Sequence, residues 1–259
     1  MSFMNGDGVR LYYEIGGRED APVLVLSNSL GTDLGMWTPQ MPALLGHFRV
    51  LRHDARGHGQ SSVPPGPYTI PQLGADVLAL MDHLGIDRAH FCGLSMGGMI
   101  GMWLGAHHGD RINRLALCNT AAKIGTAETW NARIDKVNAD GMASITGVVL
   151  DRWFTPGFQE RSPEQVDIVR AMLLRTDPAG YNASCAAVRD MDQRGELAGI
   201  TVPTLVIAGT HDLSTPAADG KLVADKVAGA RYAELDAAHL SNWEQPEEFT
   251  HQLVDFLTA

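Results

Sequence analysis

Short apolar runs alternate with helical stripes along most of this chain. Residues 9–15 (VRLYYEI) place apolar and polar side chains on alternate positions, the pattern of a strand half open to solvent, and Gly16-Gly17 supplies the turn that ends it. Residues 22–26 (PVLVL) are apolar throughout, as a strand buried on both faces requires. Similar short runs recur at 48–53, 89–92, 112–118 and 204–208, and 231–235 reads as a last strand. Between them, Leu73, Val77, Leu80, Met81 and Leu84 share one helical face, as do Phe249, Leu253, Phe256 and Leu257, with Pro246 well placed for a first helical turn. Strands alternating with helices predict an α/β fold: a mostly parallel central sheet flanked by helices on both sides.

The middle of the chain breaks this rhythm. From 121 to 195 no buried strand is legible; helical patterns such as Val166, Val169, Met172 and Leu173 take its place. A connection of that length is too long for an ordinary crossover. The division expected is therefore a core of residues 1–120 and 196–259, with 121–195 inserted between two strands as a helical cap.

Composition narrows the chemistry. Twenty basic residues against thirty acidic ones give a formal charge of −10, which excludes the basic face a nucleic-acid binder needs. Three cysteines without a CxxC pair fit a reducing compartment better than a disulfide framework or a zinc ribbon. Residues 1–10 lack a basic stretch leading into an apolar one, and the longest nearly apolar run, 97–106, is half the roughly 20 residues that cross a bilayer. A soluble cytoplasmic protein is expected, with no membrane partner, no metal and no cofactor; the oligomeric state is left open.

Residues 93–97, Gly-Leu-Ser-Met-Gly, match G-x-S-x-G. An apolar strand runs directly into the motif and a helical pattern (Met99, Met102, Trp103, Ala106) leaves it. That context is a sharp strand-to-helix turn presenting Ser95 as a nucleophile at a helix N-terminus, where free N–H groups favour developing negative charge. A serine hydroxyl needs a base, and the base an orienting acid; in this strand–turn–helix architecture the chain order is Ser, acid, His. Of the histidines after Ser95, His107 and His108 end the following helix and His251 lies within the last one. His239 sits in a loop just after the last strand and is the candidate base. Asp212, just past the 204–208 strand, is the candidate acid, with Asp236 as runner-up; at the end of the preceding strand the chain has Asn119-Thr120 instead of a carboxylate. The backbone N–H groups of Met96 and, by position in the loop after the 22–26 strand, Leu30 are the candidate oxyanion donors. His58, in the polar loop 54–61, precedes Ser95 and is assigned a structural role.

With these elements in place the chain resembles the α/β-hydrolases over nearly its whole length, and among them the bacterial 3-oxoadipate enol-lactonases of the β-ketoadipate pathway. The residues that carry the resemblance are 27–37 (SNSLGTDLGMW), 93–98 (GLSMGG) and 237–242 (AAHLSN), followed by Glu244-Gln245-Pro246. Many α/β-hydrolases place His-Gly before the oxyanion donor; here the pair is Asn28-Ser29. The resemblance implies hydrolysis of an unsaturated five-membered lactone bearing a carboxylate, through an acyl-enzyme on Ser95. Such a substrate needs a cation. Trp130 and Arg133 lie one helical turn apart in the inserted block, so Arg133 is expected to grip the carboxylate, with Trp130 and Trp153 as apolar walls. Seven of the sixteen arginines fall in that block, against the overall negative charge. Two other readings stay open: a general carboxylesterase or perhydrolase-type enzyme of the same fold, and a non-enzymatic ligand receptor built on it. A dehalogenase is disfavoured because its nucleophile is a carboxylate.

Overall fold

The structure, a computed structural model, describes residues 2–6 and 8–259. Eight strands form one sheet. The first two, β1 (Ser2–Gly6) and β2 (Val9–Gly16), pair antiparallel with each other. The next two in the chain are β3 (Val23–Ser27) and β4 (Arg49–His53), and β2 continues antiparallel onto β4. From β4 the sheet runs parallel through β3, β5 (Ala89–Leu94), β6 (Ile112–Cys118), β7 (Thr204–Gly209) and β8 (Arg231–Leu235). Across the sheet the order is β1-β2-β4-β3-β5-β6-β7-β8. The continuously apolar runs are the central strands, buried along their whole length in β5 and β7. The edge strand β1 has no legible sequence signal, because its exposed–buried alternation spans only five residues.

The helices α1 (Met41–His47), α2 (Ile70–His83) and α3 (Met96–His107) occur among the first six strands. Thr69 starts α2 by accepting the Gln72 N–H, with Pro71 in the first turn, and the predicted apolar stripe of Leu73, Val77, Leu80 and Met81 is buried. Five helices fill the interval between β6 and β7: α4 (Ala127–Asp140), α5 (Ala143–Trp153), α6 (Pro156–Arg161), α7 (Pro163–Arg175) and α8 (Pro178–Asp190). Several start signals are local: Thr126 forms a reciprocal capping box with Thr129, Thr155 caps α6, and Asp177 accepts two N–H groups at the head of α8. Val166, Val169, Met172 and Leu173, on one face of α7, are all buried. The last helices, α9 (Ala217–Lys226), α10 (Ser241–Glu244) and α11 (Pro246–Thr258), accompany the last two strands.

Register places the chemistry. Ser27 pairs with Gly93, Leu94 with Cys118, Cys118 with Ile207, and Gly209 with Leu235. The C-terminal ends of β3, β5, β6, β7 and β8 therefore lie side by side, and the loops leaving them converge on one edge of the sheet. Loops at the carboxyl ends of parallel strands are where such sheets bind ligands. Among the described residues no helix is long and apolar enough to cross a membrane.

Candidate active site

Ser95 sits between β5 and α3 with φ 58° and ψ −116°, a left-handed backbone that a side-chain-bearing residue adopts only under constraint. The constraint is visible in its bonds. Its N–H donates to the Cys118 carbonyl at 2.9 Å, and its own carbonyl accepts the Thr120 hydroxyl at 2.8 Å and the Met99 N–H at 3.0 Å. The flanking glycines are required by space: a Cβ at Gly93 would collide with the Gly97 backbone, and one at Gly97 with the Ser27 carbonyl.

His239 lies in the loop after β8, four residues past its end, and is 2% exposed. Its Nδ1 is 2.8 Å from Asp212 Oδ2. Asp212 is held from several sides. Oδ1 accepts the N–H groups of Ser214 (2.7 Å) and Thr215 (2.9 Å), while Oδ2 accepts the Thr215 hydroxyl (2.8 Å) and the Asn119 amide (3.1 Å). Burial alone would raise this carboxyl; the His239 imidazole and these donors outweigh it and hold Asp212 below the ordinary carboxylate value. With Nδ1 facing a carboxylate, the proton belongs on Nδ1 and Nε2 is left to accept. The runner-up acid, Asp236, is elsewhere: it is 84% exposed and pairs with His211 at 2.8 Å.

Asn119 proves more than a missing acid. Its amide nitrogen bridges Asp212 and the Ala238 carbonyl (3.2 Å), and its oxygen accepts the Ser241 hydroxyl at 2.6 Å. It thus joins the ends of β6, β7 and β8 in one buried network. Sequence reasoning missed this role because the partners lie 93 to 122 residues away.

The loop after β3 is anchored by Asn28, whose amide donates to the His53 carbonyl (2.8 Å) and whose oxygen accepts the Trp37 indole N–H (2.9 Å). Within that loop, the N–H of Ser29 faces Met36 Sδ, Gly31 donates to His58 Nε2 and Thr32 to the Ser29 carbonyl. The Leu30 N–H has no acceptor among the described residues. On the facing turn, Gly97 N–H is taken by the Asn28 carbonyl at 3.1 Å, whereas Met96 N–H, at the head of α3, likewise has none. Two unpaired backbone donors, one in the loop after β3 and one on the residue that follows Ser95, suit a tetrahedral oxyanion.

A cavity of about 400 Å³ opens over these groups, lined by Leu30, Ser95 and His239 from the sheet edge and by Trp130, Arg133, Arg152, Trp153 and Tyr181 from the helices between β6 and β7. The structure brings Arg133, the expected carboxylate grip, and Trp130 and Trp153, the expected walls, into one cavity with Ser95. Trp153 stands 6.0 Å from the His239 ring, centroid to centroid, and Arg133 stacks on Trp130 at 4.9 Å. Neither Arg133 nor Arg152 forms a salt bridge among the described residues, unlike Arg175, Arg189 and Arg194 in the same block. Arg152 and Tyr181 were not singled out by the sequence. Arg152 stands next to Trp153 at the end of α5, but no periodic signal distinguishes a cavity-facing arginine from a solvated one.

The same helices bind the loop that carries His239. Leu240 N–H donates to the Trp153 carbonyl at 3.0 Å, and the Glu244 carboxylate accepts the Thr155 N–H at 2.5 Å.

A family model described as the alpha/beta hydrolase fold matches residues 22–140. Among curated proteins, 3-oxoadipate enol-lactonase 2 of Acinetobacter baylyi is 45% identical over 248 residues, covering 96% of this chain and 93% of that one. Among solved structures, the enol-lactonase of Burkholderia xenovorans LB400 superposes with TM-score 0.98 at 53% identity over the full length of both chains. A thermophilic esterase from Thermogutta terrifontis superposes with TM-score 0.91 at 29% identity, covering 96% of this chain and 93% of that one.

Proposed function

From the premise that the chain belongs to the α/β-hydrolase family, we propose that it is a serine lactonase opening the 3-oxoadipate enol-lactone to 3-oxoadipate, a step in bacterial aromatic-compound catabolism. The observation that carries this reading is one cavity lined by a strained serine, a carboxylate-oriented imidazole, the loop residue Leu30 with its unpaired N–H, and Arg133, which has no acidic partner among the described residues.

In this mechanism Ser95 Oγ attacks the lactone carbonyl while His239 Nε2 takes its proton. Asp212 keeps the imidazole in the accepting tautomer and stabilises the cation that forms. The N–H groups of Leu30 and Met96 receive the oxyanion. Collapse breaks the ring C–O bond; the ring oxygen leaves as an enol with the proton from His239, and tautomerisation to a ketone discourages reclosure. Water, deprotonated by His239, then adds to the acyl group, and Ser95 departs as the restored hydroxyl. The helices at 121–195 serve as a cap whose arginines oppose the net negative field of the protein. Arg133, braced on Trp130, grips the substrate carboxylate, and Trp130 and Trp153 wall the lactone ring. The three buried thiols, Cys92, Cys118 and Cys185, suit a reducing, cytoplasmic setting.

The test is the loss of enol-lactone ultraviolet absorbance on adding purified protein, with Ser95→Ala as control and a neutral short-chain aryl ester beside it. Selective turnover of the lactone is expected. Arg133→Ala should lose about 10- to 100-fold in kcat/KM on the lactone, the worth of a charge-assisted contact, and little on the ester. Equal losses on both substrates would remove the carboxylate role; faster turnover of the ester than the lactone would make the protein a general esterase.

A further inference from the structure

His58 remains unused by the proposed chemistry, yet it is buried beside it. The ring is 2% exposed and sits in the loop after β4, which Arg56 fixes through a two-pronged ion pair to Asp76 at 2.6 and 2.5 Å. Its two nitrogens have distinct partners. Nε2 accepts the Gly31 N–H at 2.9 Å, so it carries no proton; Nδ1 then holds the proton and faces the Arg56 carbonyl at 3.2 Å. Burial pushes this imidazole below its ordinary pKa, which keeps the ring in the neutral form that can accept.

Gly31 is the third residue of a four-residue turn, 29–32, closed by the Thr32 N–H to the Ser29 carbonyl at 3.2 Å. Its φ of 82° is the positive value that a type II turn demands at that position. A Cβ there would meet Leu173 and Tyr181, so the turn is pressed between the inserted helices and the sheet. Its alternative, a flip of the Leu30–Gly31 peptide, would turn the Gly31 N–H away. His58 is the group that penalises that flip, because its Nε2 would then be left buried without a donor. Leu30, the residue before Gly31, bears the unpaired N–H and lines the serine cavity.

We infer that His58 is a positioning residue of the oxyanion hole: as a neutral acceptor it locks the turn that holds the Leu30 N–H against the site of the tetrahedral intermediate. The inference rests on the proposed use of Leu30 as a donor. Its effect belongs to the transition state, since the oxyanion forms only there.

The experiment compares His58→Gln, His58→Asn and His58→Phe with the unmodified enzyme, all confirmed folded by thermal melts above assay temperature. Glutamine can extend an acceptor oxygen to where Nε2 stood; asparagine is one bond too short; phenylalanine keeps the ring without the acceptor. His58→Phe and His58→Asn should lose about 10- to 100-fold in kcat with KM within about threefold, somewhat less than deleting an oxyanion donor outright. His58→Gln should stay within about fivefold of wild type, because the acceptor is kept. Affinity for a trifluoromethyl ketone, which forms a tetrahedral adduct on the serine, should fall in parallel with kcat. Folded Phe or Asn variants with wild-type kcat, equal losses in Gln and Asn, or a loss confined to KM would each overturn the inference. If the Phe variant does not fold, the Gln–Asn contrast decides. Phosphonate labelling of Ser95 and its loss in Ser95→Ala test the serine mechanism independently, so failure of that reading shows separately.

Discussion

Replacing Asp212 by asparagine removes one charge and no volume, and the surroundings decide the consequence. The carboxylate receives five donors: two backbone N–H groups on Oδ1, and Thr215 Oγ1, Asn119 Nδ2 and His239 Nδ1 on Oδ2. A carboxamide has one oxygen. If it stays with the Ser214 and Thr215 amides, its NH2 confronts three donors. The Thr215 hydroxyl can rotate and accept. Asn119 cannot turn without also losing the Ser241 hydroxyl and the Ala238 carbonyl. His239 can respond only by moving its proton to Nε2, the nitrogen that must be empty to take the Ser95 proton. The fall in kcat should therefore be about 10⁴-fold, as for the same change in serine proteases, equivalent to ~5.4 kcal/mol of transition-state stabilisation. Loss of charge-assisted bonds should also cost about 2 kcal/mol of stability, lowering the melting midpoint by about 4–8 °C in a chain of this size. The assay is enol-lactone turnover with the aryl ester in parallel, alongside calorimetry; both substrates should fail together, because the defect is in the base. A variant retaining more than about a tenth of wild-type kcat would refute the assignment of Asp212. Asp236→Asn, exposed and paired with His211, should change activity less than about twofold.

Buried groups lead to two further outcomes. Burial pushes His53 down to about 4, so between its ordinary value of 6.5 and pH 4 the unfolded chain binds a proton that the folded chain refuses. The stability this histidine supports is whole above pH 6.5 and is lost as pH falls towards 4, about 3 kcal/mol at ~1.4 kcal/mol per pH unit. Asp54, raised by burial to about 6, acts in the opposite sense, regaining stability as pH falls from 6 towards its unfolded value. Calorimetry across that range should show a net acid decline that flattens in His53→Phe; an unchanged slope would contradict the linkage. Gly97→Ala would drive a methyl into the Ser27 carbonyl and displace the Met96 N–H. Its kcat should drop by about tenfold or more with a lowered melting midpoint; an active, equally stable variant would show that the turn yields without strain.

Much of the site was legible because its signals are local or ordinal. An apolar run entering G-x-S-x-G determined where a strand must turn sharply into a helix. The order of serine, acid and histidine singled out Asp212 and His239 from many carboxylates and ten histidines. The one-turn spacing of Trp130 and Arg133 placed them on one face, and they stack. The five-residue edge strand β1 escaped because its period-two pattern is too short to separate from a loop. Arg152, Tyr181, Asn119 and the Glu244–Thr155 tie carry no spacing of their own; their partners lie across the sheet or in the inserted helices.

The sequence by itself thus determined the fold class, the strand-to-helix turn that carries Ser95 and the candidate acid and base, because backbone periodicity and turn chemistry act over a few residues. Only the tertiary structure decided which arginines face the cavity, what Asn119 holds, and that His58 accepts the Gly31 N–H in the turn after β3. Those contacts depend on the register of strands far apart in the chain, and on burial, which selects the protonation state of an imidazole that sequence alone shows only as a histidine.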